Sequence, residues 1–219
     1  MFVKIGTMSK KKRTIPQDTA SRLSLYLRSL RMLGKKRVDV ASSEEITQFL
    51  NVTPVQFRKD LSYFGGFGKR GVGYDVARLT REIERILGTD AEWKIAIVGA
   101  GKLGSALLGY SGFHELNLRI VAAFDSDPGR VGKARQGVRI DGASSMKRIL
   151  KEKGIRIAVL AVPADSAQKV GEELVRCGVK AILNFAPVNL VLPKGVSVSN
   201  VDMASELESL IYKLKGERA

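Results

Sequence analysis

The sequence predicts an α/β protein: an N-terminal winged helix-turn-helix, then a Rossmann-like doubly wound parallel sheet, then a C-terminal helix. Three observations predict it. Two short capped helices run into a glycine-rich basic hairpin between Ser42 and Tyr74. From Trp93 to residue 201, apolar strand-like runs alternate with amphipathic helical ones, the pattern of a parallel sheet. Lys94-Ile95-Ala96-Ile97-Val98 leads straight into Gly99-Ala100-Gly101-Lys102-Leu103-Gly104.

Charge is unevenly placed. Lys and Arg total 37 against 22 Asp and Glu, a net of +15 over 219 residues. Residues 1–74 hold 15 basic and 5 acidic side chains (net +10), whereas residues 75–219 hold 22 and 17 (net +5). A basic first third points to a polyanionic partner, most simply double-stranded nucleic acid. The single cysteine, Cys177, excludes an internal disulfide and fits a reducing compartment. No run approaches the ~18 apolar residues of a membrane span, so a cytoplasmic protein without a membrane partner is expected.

Residues 1–15 read as a flexible basic tail ending in Lys10-Lys11-Lys12-Arg13. The DNA-binding domain is expected over 16–76. Pro16 and Gly34 bracket a helix whose Ala20, Leu23, Leu27 and Leu30 recur at helical spacing, with Arg22, Arg28 and Arg31 off that stripe. Ser42 and Glu45 form a capping box. Thr53 caps the next helix, with Pro54 at its first position and Gln56 reaching back. On it Phe57, Leu61 and Phe64 face inward, leaving Gln56, Lys59 and Tyr63 on another face with Arg58 and Ser62 beside them. Those donors suit base edges and phosphates, the inventory of a major-groove recognition helix. Gly65 to Tyr74 has five glycines in ten residues, with Lys69 and Arg70 at the tip, a wing for a phosphate backbone. Asp75 through Leu87 reads as a linking helix, with Val76, Leu79, Ile83, Ile86 and Leu87 apolar and Gly88 ending it, so that residues 77–92 are expected to link the two domains.

The nucleotide-binding domain is expected over 93–201, with strands at 93–98, 119–124, 155–161, 179–184 and 196–200 and helices near 102–109, 143–153 and 165–177. Gly99 permits a tight turn off the first strand, Gly101 lets a pyrophosphate approach the backbone, and Gly104 lets the helix lie close on the sheet. Asp125 closes the second apolar run, 21 residues after Gly104. A carboxylate there accepts from both ribose hydroxyls and repels a 2′-phosphate, so NAD(H) is expected over NADP(H). Val162-Pro163 and Asn184-Phe185-Ala186-Pro187 follow strand ends, where the crevice of such a sheet opens. Residues 202–219 are expected to hold a C-terminal helix, with Leu207, Leu210, Ile211 and Leu214 on one face, available to its own domain or to a partner subunit.

Catalytic apparatus is hard to find. The one histidine, His114, follows soon after the cofactor helix, where a loop residue fits better than a general acid. No Cys/His metal cluster, nucleophile elbow or carboxylate pair stands out, so neither a catalytic residue nor a metal is assigned. A nucleotide site on a DNA-binding head is a sensor design. The rival readings are a small NAD-dependent oxidoreductase tethered to nucleic acid by a basic head, and a CoA- or other nucleotide-binding domain of similar fold.

Four stretches resemble the Rex family of redox-sensing transcriptional repressors: Val55 to Gly65, Gly68 to Tyr74, Ile97 to Gly104 and Ile182 to Pro187. The resemblance spans about residues 16–212 in the family's order. It implies a homodimer of winged-helix and Rossmann-like subunits with the C-terminal helix exchanged. It further implies NAD(H) as a regulatory ligand and release from an inverted-repeat operator when NADH binds. By position, Arg58 and Lys59 match DNA-contacting residues, Gly99, Gly101, Gly104 and Asp125 the cofactor site, and Arg28, Tyr110 and Asp202 the residues coupling cofactor state to the heads. Met203 departs from an aromatic that some relatives carry beside the nicotinamide.

Overall fold

The computed structural model describes residues 16–69 and 71–216. The expected tail 1–15 and the wing-tip Arg70 lie outside the described residues. The chain divides into two compact units, the first running to Asp90 and the second beginning at Ala91.

In the first unit, α1 (Gln17–Lys35) starts after Pro16, whose fixed φ suits a helix entry. Leu23, Tyr26, Leu27 and Leu30 are its buried stripe; Ala20, expected there, is exposed, and Tyr26 takes the inward position instead. β1 (Val40–Ala41) leads to α2 (Ser43–Thr47), whose capping box is reciprocal: Glu45 N–H donates to Ser42 Oγ at 3.1 Å and Ser42 N–H to Glu45 Oε2 at 2.7 Å. Thr53 Oγ1 accepts from Gln56 N–H at the head of α3 (Pro54–Ser62). The Gln56 side chain does not reach back; it donates to Asp60 Oδ1 at 2.8 Å. β2 (Tyr74–Asp75) pairs antiparallel with β1 and ties down the wing.

α4 (Val76–Leu87), expected as a link, belongs to the head's core. Its Val76, Leu79 and Ile83 are buried with the α1 stripe, Ile46, Phe57 and Leu61. The short α2 and α3 cannot cover the α1 stripe by themselves, and α4 closes it. Each such aliphatic side chain contributes about 1.5–3 kcal/mol by leaving water.

The second unit is a seven-stranded sheet ordered β5 (Ala134–Arg135), β6 (Val138–Gly142), β4 (Leu118–Asp125), β3 (Trp93–Val98), β7 (Ile157–Leu160), β8 (Ala181–Asn184) and β9 (Ser197–Asn200). All pairings are parallel except the β5–β6 hairpin. That hairpin was not foreseen: Val138 to Gly142 carries only two apolar side chains and reads as a loop. Alternation along β3 splits the core. Ala96 and Val98 face α6 (Met146–Glu152) and α7 (Ala164–Arg176), whereas Ile95 and Ile97 join Leu108 of α5 (Lys102–Leu108). The order of connection reverses between β3 and β7, so a crevice opens at their carboxyl ends. α8 (Met203–Gly216) ends the described chain with no buried residue.

Candidate coenzyme cleft and nucleic-acid interface

The turn after β3 is held by close backbone approach. Gly99 has φ +93°, and a Cβ there would stand 2.3 Å from the Ala161 carbonyl oxygen. At Gly104 it would stand 1.8 Å from the Gly99 carbonyl oxygen, so only glycine lets α5 sit against the turn. Gly101 differs. A Cβ there meets nothing nearer than Arg130 Nη1 at 3.9 Å, so its backbone borders open space that a phosphate could occupy.

Gly99 and Gly101 line a cleft of about 600 Å³ together with Asp125, Arg130, Val162 and Pro163. Ala100, Gly101 and Lys102 line an adjoining hollow of about 300 Å³. Leu103 is half-buried and Gly104 buried beneath the turn, and neither lines either space.

Asp125 lines the 600 Å³ cleft at the end of β4, and each of its oxygens already accepts one backbone hydrogen bond while keeping a further lone pair for a ligand hydroxyl. It is 7% exposed, and Oδ2 accepts from Ala100 N–H at 2.7 Å while Oδ1 accepts from Asp127 N–H at 2.8 Å. Arg130 Nη1 adds a contact to Oδ2 at 3.1 Å. Burial by itself would raise this carboxyl; the two N–H donors and Arg130 outweigh it and hold it below the usual carboxylate range. Asp125 therefore braces the glycine-rich turn and is paired with Arg130 at the cleft edge.

Asn184 is also a brace. It is fully buried, donates to the Val188 carbonyl at 2.8 Å and to Asn200 Oδ1 at 2.9 Å, and accepts from Ala186 N–H. Phe185 packs into the core beside β3, Ala186 is buried, and Pro187 is exposed; this tetrapeptide does not line the 600 Å³ cleft. Tyr110 is 56% exposed and stacks edge-to-face on Phe113 at 5.1 Å. Asp202 Oδ1 accepts from Ala204 and Ser205 N–H at the head of α8, and Arg28 is exposed on α1. His114 is exposed and lies outside the coenzyme cleft.

In the head, Phe57 is gripped edge-to-face by Tyr26 of α1 at 4.8 Å and Tyr74 of the wing at 5.2 Å. The stack fixes α3 relative to the wing. Arg58, Ser62 and Lys69 line one hollow of about 610 Å³ between them. Lys59 is exposed, whereas Gln56 and Tyr63 are half-buried. Arg58 donates to Ser43 Oγ and lies 3.4 Å from Glu44 Oε1, contacts that no spacing rule along α3 could reveal. Asp60, the acid on an otherwise basic helix, is fully buried. It accepts from Arg22 (Nε 2.6 Å, Nη2 2.8 Å), Tyr26 Oη (2.7 Å) and Gln56. Burial would raise its carboxyl, but Arg22, Tyr26 and Gln56 together hold it low. The polar face of α3 is thus free of net acid.

Residues 14–62 match the family model described as "Putative DNA-binding protein N-terminus", and residues 90–188 match "CoA binding domain". Over 199 residues the chain is 47% identical to the redox-sensing transcriptional repressor Rex of Roseiflexus sp. (strain RS-1), covering 91% of this chain and 90% of that one. The chain belongs to the Rex family. Solved structures of RSP, a Rex-family repressor, match most of the chain. RSP in complex with β-NAD⁺ and operator DNA matches at TM-score 0.89 and 35% identity, over 94% of both chains. RSP in complex with β-NADH matches at 0.83 and 34%, over 94% of this chain and 97% of that one. The named Rex relatives are transcriptional regulators. Among the described residues no helix is long and apolar enough to cross a membrane, and no group of three or more His, Cys, Asp or Glu could hold a metal ion.

Proposed function

We propose that this chain is a cytoplasmic redox-sensing repressor that binds an inverted-repeat operator and leaves it when NADH binds, so that transcription follows the NADH/NAD⁺ ratio. The observation that carries the reading is the presence, in one chain of a Rex-type fold, of a wing-braced recognition helix and a glycine-lined coenzyme cleft. The coenzyme is an effector here and not a reagent, so the chain is not an enzyme. Gly99, Ala100, Gly101 and Lys102 hold the pyrophosphate, and Val162-Pro163 border the adenosine side. The coenzyme supplies the signal, a change of charge and planarity at the nicotinamide. Tyr110 and Asp202, with Arg28 of the head, read that change.

In the groove, Arg58 and Lys59 contact base edges, with Gln56, Ser62 and Tyr63 beside them; Lys69 and Arg70 of the wing lie along the phosphates. Two subunits present two recognition helices, which suits an inverted repeat. The subunits pair through α8. Its Leu207, Leu210, Ile211 and Leu214 are each more than half exposed, an apolar stripe that an exchanged partner helix would bury.

Switching between 1:99 and 99:1 needs about 5.5 kcal/mol of differential affinity, which two coenzyme sites per dimer can share. Because coupling is reciprocal, operator DNA must weaken NADH binding by the factor by which NADH weakens DNA binding. A fluorescence-anisotropy titration of an inverted-repeat duplex with NADH, NAD⁺ or NADPH tests the reading. Release by NADH is expected, and a duplex held equally tightly under every coenzyme would overturn it.

A further inference from the structure

The exposed positions of α3 form a single row. Val55, Arg58, Lys59 and Ser62 are exposed, whereas Phe57, Asp60 and Leu61 are buried and Gln56 is half-buried, bonded to Asp60. Offsets of three, four and seven residues from Val55 place the four on one helix face. Three of them are polar. Val55 is aliphatic and 66% exposed, and it belongs neither to the buried core of the head nor to the half-buried apolar side chains packed on that core.

Lone aliphatic side chains on a surface are common and by themselves call for nothing. Val55 is set apart by its place. It is the second residue of α3, one turn ahead of Arg58 and Lys59, and the N-terminal residues of a recognition helix are those that reach base edges. The floor of the major groove displays hydrogen-bond donors and acceptors and one apolar group, the C5-methyl of thymine. An aliphatic side chain in a row of groove-facing polar ones therefore has one complement there. Valine adds nothing to α3 itself, since a β-branched residue is a poorer helix former than alanine.

We propose that Val55 is a specificity-determining residue that packs on a thymine methyl group, so that each half-site carries a thymine beside the bases contacted by Arg58 and Lys59. The inference rests on α3 being the major-groove helix, as proposed above. The contact carries no charge, so it leaves phosphate binding untouched and adds nothing on DNA that lacks the methyl. Taking one methyl-sized group out of water is worth about fourfold in affinity for each half-site.

Anisotropy titrations of the full chain test it. The duplex is the one that the unaltered protein selects from a random pool, compared with copies in which thymine is replaced by deoxyuridine at matching positions of both halves. The swap removes only the C5-methyl. At one thymine position the unaltered protein should lose on the order of tenfold across the two halves. Val55→Ala should bind the thymine duplex about tenfold more weakly than the unaltered protein, bind random duplex equally well, and ignore the swap at that position. If the unaltered protein prefers its selected duplex to random DNA yet tolerates every swap, or its half-site holds no thymine, Val55 reads no methyl and the major-groove reading stands. Full sensitivity to deoxyuridine in Val55→Ala would assign the methyl contact to another group and also overturn the proposal. No preference for any sequence overturns both.

Discussion

Arg22 Nε lies 2.6 Å from Asp60 Oδ2, and Asp60 has no exposed surface. The pair joins the first helix of the head to the recognition helix, 38 residues along the chain. Replacing Asp60 by Asn leaves Arg22 without its counter-charge in a half-buried position. The cost is about 2–4 kcal/mol, below the full figure for a buried pair because Arg22 is partly solvated. Chemical denaturation followed by circular dichroism should show it, and an unchanged midpoint would contradict the role given to the pair.

The same carboxyl sets an acid limit. Its folded pKa is depressed, so its stabilisation is fully present above the unfolded value of about 3.9 and is lost as pH falls through the folded value. Asp125 behaves alike in the second unit. Below about pH 4 the parent protein should lose stability more steeply than Asp60→Asn, whose curve lacks one titrating group. Parallel stability curves from pH 6 to 2.5 would count against this account.

Gly101 and Gly104 should separate binding from folding. A Cβ at Gly104 collides with the Gly99 carbonyl at 1.8 Å, so Gly104→Ala must displace either the turn or α5. It is expected to lower the melting temperature and to abolish coenzyme binding. Gly101→Ala meets nothing within 3.9 Å and should melt like the parent, yet it places a methyl where the pyrophosphate must approach. NADH affinity should fall by about a hundredfold, close to 2.8 kcal/mol. Both readouts come from calorimetry on the same samples, and tight NADH binding by Gly101→Ala would remove the phosphate from that loop.

On DNA, position should decide the kind of loss. Arg58→Ala removes a base-edge donor and should cost about 1–3 kcal/mol on the operator with little change on random duplex. Lys69→Ala removes a wing charge and should weaken both duplexes alike, lowering the salt slope by about one. Anisotropy at two salt concentrations distinguishes them. If Arg58→Ala weakened both duplexes equally, Arg58 would be a phosphate contact.

Much of this was legible in the residues. Helix caps are local, so Ser42-Glu45 and Thr53-Pro54 marked α2 and α3, and the strand–glycine–helix order marked the coenzyme turn. What was not legible depends on chain segments meeting across space. Asp60 looked like a stray acid on a basic helix because Arg22 and Tyr26 lie a helix away. The bracing part that Asp125 plays stayed hidden because neither the Ala100 N–H nor Arg130 can be seen converging on it from spacing alone. α4 looked like a linker because its apolar positions say that something covers them, not that α1 does. The β5–β6 hairpin stayed hidden since an edge of alternating charge and glycine carries little apolar signal.

The stripe on α8 makes the last prediction. Leu210 and Ile211 are 54% and 55% exposed, with Leu207 and Leu214 one turn to either side. A single subunit gains nothing from such a surface, whereas burying it against a second copy contributes about 25 cal/mol for each Å² removed from water. Leu210→Glu with Ile211→Glu places two charges in that contact while leaving the buried core untouched. Sedimentation should shift the protein from dimer to monomer. Binding to an inverted repeat should fall towards that of a single half-site, because two recognition helices are no longer tethered. Each monomer should still bind NADH, since neither residue lines the coenzyme cleft. A variant that stayed dimeric would show that the subunits meet elsewhere.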